Sequence, residues 1–246
     1  MTSNVTMKFP VNCDMGEGFG LYRCGDDEGC IRYVSHINLA CGFHASDPNI
    51  MWKTVQLAAA HGVGIGAHPG LPDREGFGRR ALKITPKEAT AMILYQVGAL
   101  QAFLDREGLE LTHIKPHGAL FGMAMTDRAL ANGIADAIEQ FEVPVIVVPD
   151  CELEDVYRER GFEYYCEFYA DLDYDDDGWQ IITQVHDAVD PTAAAAKCLQ
   201  ALREGTTSSI NGKEVKVRAD SICVHSDTPD AVSVAKSVWE AIAEYR

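Results

Sequence analysis

The sequence predicts a parallel α/β fold in a single domain, 1–246, built on seven strands and either closed as a barrel or open and doubly wound. Three observations lead there. Short β-rich runs alternate with long amphipathic runs from end to end, helix-start signals open several of the amphipathic runs, and ionisable residues recur where the β-rich runs stop. With 246 residues and 47% hydrophobic content the chain carries enough apolar material for one large core, and α/β barrels commonly reach this length undivided.

The β-rich runs span residues 8–13, 35–41, 63–67, 112–115, 144–148, 164–169 and 221–224. Their β-branched and aromatic content, bounded by turn residues, reads as strands. Between them, Asp47-Pro48, Asp190-Pro191 and Thr228-Pro229 each set a capping side chain ahead of a proline at the first helical position. Thr85-Pro86-Lys87-Glu88 forms a capping box for a helix that runs to about Glu107 and stops at Gly108. In TAAAAKCLQALREG apolar residues recur three and four apart, the helical period. Repeated β then α implies parallel strands with right-handed crossovers.

The balance of 21 basic against 37 acidic residues gives a formal charge of -16, which repels a phosphate backbone and argues against nucleic acid as a partner. The terminus MTSNVTMKFP has no apolar signal core, and no apolar run approaches bilayer-spanning length. The expectation is a soluble cytoplasmic protein with no membrane partner. Eight cysteines at irregular spacings without a C-x-x-C pair fit neither a disulfide framework nor a zinc ribbon. Cys13, Cys41 and Cys223 read as small buried hydrophobes, with a thiol nucleophile as the alternative.

One stretch invites a metal reading. In CEFYADLDYDDDGWQIITQ, residues 166–184, Asp173, Asp175, Asp177 and Gly178 reproduce the opening of an EF-hand loop. The twelfth position of that loop is Gln184 rather than Glu, and the flanks read as strands rather than helices. The acidic run is therefore expected to be a solvated turn.

The residues with catalytic potential follow the strands. VNCDMGE gives Asp14 and Glu17; NLACGFHASD gives His44 and Asp47; GIGAHPG gives His68; HIKPHG gives Lys115 and His117; YCEFYAD gives Glu167 and Asp171; SICVHSD gives His225 and Asp227. In a parallel α/β barrel the carboxyl ends of the strands converge on the face that carries the active site. Each residue alone has a plain structural reading, and Asp47 in particular suits a helix cap. Four histidines and a lysine at one end of a sheet are not explained by capping. Gly16, Gly42, Gly70 and Gly118 adjoin these residues, where a missing side chain lets the backbone approach a ligand. The loop LPDREGFGRR adds Arg74, Arg79 and Arg80, a basic spot suited to clamping a carboxylate or phosphate.

At these residues the chain resembles a known family. VNCDMGEGFG, INLACGFHASDP, GIGAHPGLPDREGFGRR, HIKPHGALF and ICVHSDTPDAV, in this order from about residue 8 to about residue 240, are similar to signature blocks of the LamB/YcsF family of lactam-utilization and 5-oxoprolinase-type proteins. The resemblance implies an irregular seven-stranded (β/α) TIM-like barrel, similar to that of polysaccharide deacetylases and glycoside hydrolases. It also implies ATP-dependent hydrolysis of a cyclic amide C–N bond, opening 5-oxoproline to glutamate together with two partner subunits. The catalytic candidates are then Asp14, Glu17, His44, His68, Lys115, His117, Glu167, Asp171, His225 and Asp227, with Asn12, Asp47, Arg79 and Arg80 for substrate or phosphate. In that scheme Lys115, with His117 beside it, stabilises the phosphorylated or oxyanionic species, Asp14, His44 or His68 activates water, and Arg79 or Arg80 holds an anion.

The implied cofactor is ATP with Mg2+. The sequence lacks G-x-x-x-x-G-K-[ST], so ATP binds by another arrangement, with or on the partner subunits. The chain also departs from its relatives: where they carry F-A-D-R it has Tyr169, Ala170, Asp171 and Leu172, and a second expected arginine falls near Thr183 or Gln184. Two alternatives stay open. One is a metal-dependent hydrolase with Zn2+ on Asp14, His44, His68 and His117. The other is a substrate-binding subunit with no activity alone. Homo-oligomerisation is left open.

Overall fold

The computed structural model describes residues 6–182 and 187–246. Along the chain run β1 (Phe9–Met15), α1 (Asp27–Cys30), β2 (His36–Ala40), α2 (Pro48–His61), β3 (Gly64–His68), α3 (Pro86–Glu107), β4 (Leu111–Ile114), α4 (Gly118–Ala124) and α5 (Arg128–Ile138). There follow β5 (Val145–Val147), α6 (Glu152–Arg160), β6 (Tyr164–Tyr169), α7 (Pro191–Glu204), the strands β7 (Thr206–Ser208) and β8 (Glu214–Lys216), β9 (Ser221–His225) and α8 (Ala231–Ala241). Strands β1 to β6 and β9 close into a barrel in that order, while β7 and β8 form a separate antiparallel pair. The seven β-rich runs are the seven barrel strands, and closure resolves the choice that alternation alone leaves open. Every residue of β1 and of β9 is buried, as expected of parallel strands covered on both faces.

The chain divides into two compact units. One holds the residues up to Cys13, Gly25–His36 and Cys166–Arg246; the other holds Asp14–Cys24 and Ile37–Tyr165. In the second, β3, β4 and β5 pair in parallel, and α3 packs on α5. That packing is close at Gly133, where a Cβ would come within 2.5 Å of the Pro86 carbonyl oxygen. In the first unit β6 pairs in parallel with β9, and α7 packs on α8 and β7. Among the described residues no helix is long and apolar enough to cross a membrane.

The local signals act as their chemistry dictates, with one exception. Asp47 caps α2 through Asn49 N and Ile50 N. Thr85 and Glu88 form the reciprocal box that opens α3, which ends on left-handed Gly108. Asp190 caps α7. The Thr228-Pro229 signal fails: α8 begins at Ala231 without a side-chain cap. The helix starts later than the signal, with Asp230 at its N-cap position, and the Thr228 hydroxyl donates to Asp171 Oδ2 at 3.2 Å.

The acidic run is a turn, as expected, but a held one. Tyr174 bridges Gln180 in antiparallel fashion, and Asp175 Oδ1 accepts from Asp177 N and Trp179 N. Asp176 accepts from Ser209 Oγ and Asn211 Nδ2, tying the turn to the β7–β8 connection. Thr183 and Gln184, where the second arginine and the twelfth EF-hand position fall, lie outside the described residues.

Two stability tests follow from this packing. At Gly66 a Cβ would sit 2.3 Å from the buried His113 ring, so Gly66→Ala is expected to destabilise by roughly 1–3 kcal/mol. At Gly98 in α3 a Cβ meets nothing within 4 Å, and Gly98→Ala should stabilise by about 0.5–1 kcal/mol; urea denaturation of both variants decides. Asp47→Ala should cost about 1 kcal/mol by loss of the cap. Bonds from Gly20 N, and then from the first turn of α2, hold the Asp47 carboxyl below its ordinary pKa. The gap between wild type and Asp47→Ala is therefore full above the unfolded carboxylate range and closes as pH falls through the lowered folded value.

Candidate active site

In the second unit, β1 ends by delivering the Asp14 carboxylate into a buried network. Its Oδ1 accepts from Lys115 Nζ at 3.1 Å and from Asn38 Nδ2 at 2.7 Å. Asn38 Oδ1 in turn faces His113 Nε2 at 2.6 Å, and His113 Nδ1 lies 2.9 Å from the Thr112 hydroxyl. The chain of bonds fixes every orientation. A carboxylate can only accept, so Asn38 presents its amide nitrogen to Asp14 and its oxygen to His113. Asn38 and His113 are both fully buried, and an unpartnered amide or ring there would carry a large desolvation cost. Read from sequence, both are only strand residues. The available signal is a polar side chain at the centre of an apolar strand.

Beyond Asp14 stand three histidines. His68 Nδ1 donates to the Lys115 carbonyl at 2.7 Å, and His117 Nε2 donates to the Phe77 carbonyl at 2.7 Å. Their other nitrogens, His68 Nε2 and His117 Nδ1, face each other at 2.9 Å, with Asp14 Oδ2 3.2 Å from the former and Glu17 Oε1 3.8 Å from the latter. His44 lies parallel on His117, ring centroids 3.7 Å apart, and its Nε2 is 3.2 Å from Glu17 Oε1. His44 Nδ1 has no hydrogen-bond partner; it abuts Gly70, where a Cβ would come within 2.4 Å of it. Nε2 is therefore the protonated nitrogen, donating to Glu17. Burial first, then the neighbouring imidazoles, hold His44 and His117 well below the ordinary histidine pKa, so both rings are neutral near pH 7.

The basic loop encloses this cluster. Phe77 adopts a left-handed backbone (φ 54°), followed by Gly78 at φ 64°, and this turn aims the Phe77 carbonyl at His117. A Cβ on Gly78 would fall 2.6 Å from His44 Cβ. Arg80 is spent on Asp73, with Nε to Oδ2 at 2.9 Å, and Arg74 donates to the Gly42 carbonyl at 2.6 Å. Arg79 is the arginine whose charge reaches His44 and His117. The Gln96 amide, which no local sequence pattern marks, clamps Gly70 by its N and O at 2.9 and 3.0 Å. The same unit holds a cleft of about 700 Å3 whose lining includes Phe43, Tyr95, Phe103, Asp47, Arg74 and Arg80. Asp47 and Arg80 thus belong to a cap, an ion pair and this cleft.

The remaining candidates lie in the first unit. Asp171 Oδ1 is 2.9 Å from His225 Nδ1, and its Oδ2 accepts from His225 N at 2.8 Å. Glu167 is buried on β6 in register with Ser221, and Asp227 is half-buried after β9. Asn12 Nδ2 donates to Ser221 Oγ at 2.8 Å and Ile222 O at 3.3 Å, a strand-to-strand tie. At Leu172, where the family resemblance implies arginine, a cation arrives from α7: Lys197 Nζ donates to the Leu172 carbonyl and lies over the Phe168 and Tyr174 rings. Burial pushes the Cys41 thiol up to about 12, which disfavours the thiolate that a nucleophile needs.

The chain is similar to known proteins over nearly its whole length. Residues 9–246 match the model of the LamB/YcsF family. The lactam utilization protein lamB of Emericella nidulans is 40% identical over 245 residues, covering 98% of this chain and 96% of that protein. A 5-oxoprolinase subunit from Bacillus licheniformis is 43% identical over 93% of this chain and 92% of its own length. The crystal structure of the lactam utilization protein from Thermus thermophilus superposes with a TM-score of 0.89 at 42% identity, covering 97% of both chains. The chain belongs to the LamB/YcsF family.

Proposed function

We propose that this chain is the ring-opening component of a 5-oxoprolinase-type assembly, hydrolysing the cyclic amide C–N bond of 5-oxoproline to glutamate with consumption of ATP and with two partner subunits. The observation that carries this reading is the buried Asp14–Lys115 pair at 3.1 Å, set beside the His68 and His117 imidazoles. The names of the similar proteins support the substrate class.

The chemistry must overcome a poor electrophile. Transfer of the terminal phosphoryl group of Mg-ATP to the lactam oxygen releases ADP and leaves a phosphorylated imidate. Water adds to the ring carbon while a base takes its proton. The adduct expels the ring nitrogen as an amine once that nitrogen gains a proton, leaving an acyl phosphate. A second water releases phosphate and leaves the carboxylate. Lys115 is the cation placed to meet negative charge developing on oxygen, and Asp14 is the acceptor for the proton of water. Arg79 supplies positive charge for a carboxylate or phosphate. Because the sequence has no phosphate loop, the nucleotide is assigned to the partner subunits or to a site shared with them.

Reconstitution tests the assignment. With its partners and Mg-ATP the chain should convert 5-oxoproline to glutamate; alone it should not. Turnover of other lactams or cyclic ureas in place of 5-oxoproline would reassign the substrate. Activity of the partners without this chain would make it accessory.

Lys115→Met separates chemistry from folding. Stripping the buried Asp14 of its ammonium should destabilise the protein by about 3–5 kcal/mol and lower turnover by at least about a hundredfold. The double variant Asp14→Asn/Lys115→Met should recover much of the stability in denaturant but none of the turnover. Full turnover in Lys115→Met would remove this role.

A further inference from the structure

We propose that His68, His117 and Glu17 hold a divalent metal ion, zinc by the character of the donors, with His44 positioning Glu17 and one coordination position left for water. The argument starts from protons. A main-chain carbonyl can only accept, so His68 carries its hydrogen on Nδ1, toward Lys115 O, and His117 carries its hydrogen on Nε2, toward Phe77 O. The nitrogens that remain, His68 Nε2 and His117 Nδ1, point at each other across 2.9 Å. Two lone pairs at that distance repel unless something positive lies between them.

A proton on His68 Nε2 would meet His117 Nδ1 and Asp14 Oδ2, 3.2 Å away, but would leave Glu17 outside the arrangement. The site gathers further acceptor atoms: Glu17 Oε1 lies 3.8 Å from His117 Nδ1, and donor atoms of Glu17, His44, His68 and His117 all fall within 4.8 Å of one another. A divalent ion satisfies three acceptors at once. Two nitrogens on a tetrahedral zinc stand about 3.3 Å apart, given bonds of about 2.0–2.1 Å, so the observed pair needs to relax by only a few tenths of an ångström. The outer contacts are also those of ligands: each of His68 and His117 donates its far N–H to a main-chain oxygen, and the Glu17 carboxylate accepts from His44, the outer-shell support that metal ligands receive.

Ring geometry decides which residues bind. His68 and His117 are nearly perpendicular, at 84°, so both lone pairs can aim at a common point. His44 lies parallel to His117, at 6° and 3.7 Å. An ion in the plane of one ring is then well out of the plane of the other. His44 therefore supports Glu17 and does not bind the ion itself. The resulting set differs from the one expected from sequence, with Glu17 in place of Asp14 and His44: Asp14 is not among the four residues whose ligand atoms all lie within 4.8 Å of one another, and its Oδ1 is held by Lys115 and Asn38. Two imidazoles, one carboxylate and an open position suit activation of water. That use of the ion, though not its binding, rests on the hydrolytic reading above.

The test is metal binding by the full-length chain. After chelator treatment, one equivalent of Zn2+ should bind tightly and raise the melting temperature, and Co2+ should give the visible absorption of a four-coordinate N/O site. Glu17→Gln and His68→Asn should each abolish stoichiometric binding. His44→Gln should weaken it about 10–100-fold while keeping the Co2+ spectrum. The proposal falls if wild-type protein binds no stoichiometric metal, if binding survives both ligand variants, or if 15N spectra show a proton held between His68 and His117 in Zn2+-treated protein. Metal bound as predicted, with no lactam turned over by the reconstituted complex, would uphold the site and overturn the substrate reading instead.

Discussion

The carboxylate of Asp14 is the constraint from which much of the second unit follows. It ends a fully buried strand, and its side chain is only 6% exposed, so its charge must be met by the protein rather than by water. Lys115 meets it from the end of β4, and Asn38 meets it from β2. Lys115 cannot serve unless β4 stands in the right register with β3, and that register is set where Ala67 pairs with Ile114. Asn38 cannot serve unless His113 takes its amide oxygen, and His113 fits only because Gly66 has no side chain. One buried charge thus specifies residues on four consecutive strands, which is the role in which buried ionic groups give specificity more than stability.

The histidines show how main chain sets chemistry. An imidazole has two nitrogens of opposite use, and which one is bare depends on the partner of the other. Here the partners are carbonyl oxygens of Lys115, just past β4, and of the loop after β3, groups that no side-chain substitution can remove. The orientation of His68 is consequently tied to the same residue whose ammonium meets Asp14. The orientation of His117 is tied to a left-handed residue, Phe77, whose conformation is unfavourable for a bulky side chain and is held by the turn around it.

The legible parts of this protein are those written in neighbouring residues. Caps at Asp47, Thr85 and Asp190 act within one turn of helix, and the strands are short apolar runs, so both can be read locally. The clustering of Asp14, His44, His68, Lys115 and His117 is readable because parallel strands bring their ends together. Partner choice is not. Thr228 has the look of a cap, but the helix begins only at Ala231, and the hydroxyl donates to Asp171, 57 residues away in sequence. Asn38, Gln96 and His113 act through bonds that span 24 to 75 residues, and no local pattern encodes them. The β7–β8 pair escapes a sequence reading because its strands are three residues each, too short for alternation to register.

The arginine-rich loop illustrates the difference between a residue type and its use. By residue type, Arg74, Arg79 and Arg80 form a clamp for an anion on a chain of formal charge -16. Two of the three hold the loop itself: Arg80 grips Asp73, which also accepts from Gly76 N at 3.0 Å, and Arg74 lies 3.7 Å over the Phe19 ring while bonding the Gly42 carbonyl. The same fastening brings Gly78 against His44 and the Phe77 carbonyl against His117. Their charge therefore reaches the chemistry indirectly, by fixing the turn that decides which nitrogen of His117 faces the site. A lysine at Arg80 would keep the charge but lose the two-pronged grip on Asp73, and the orientation of His117 would loosen with it.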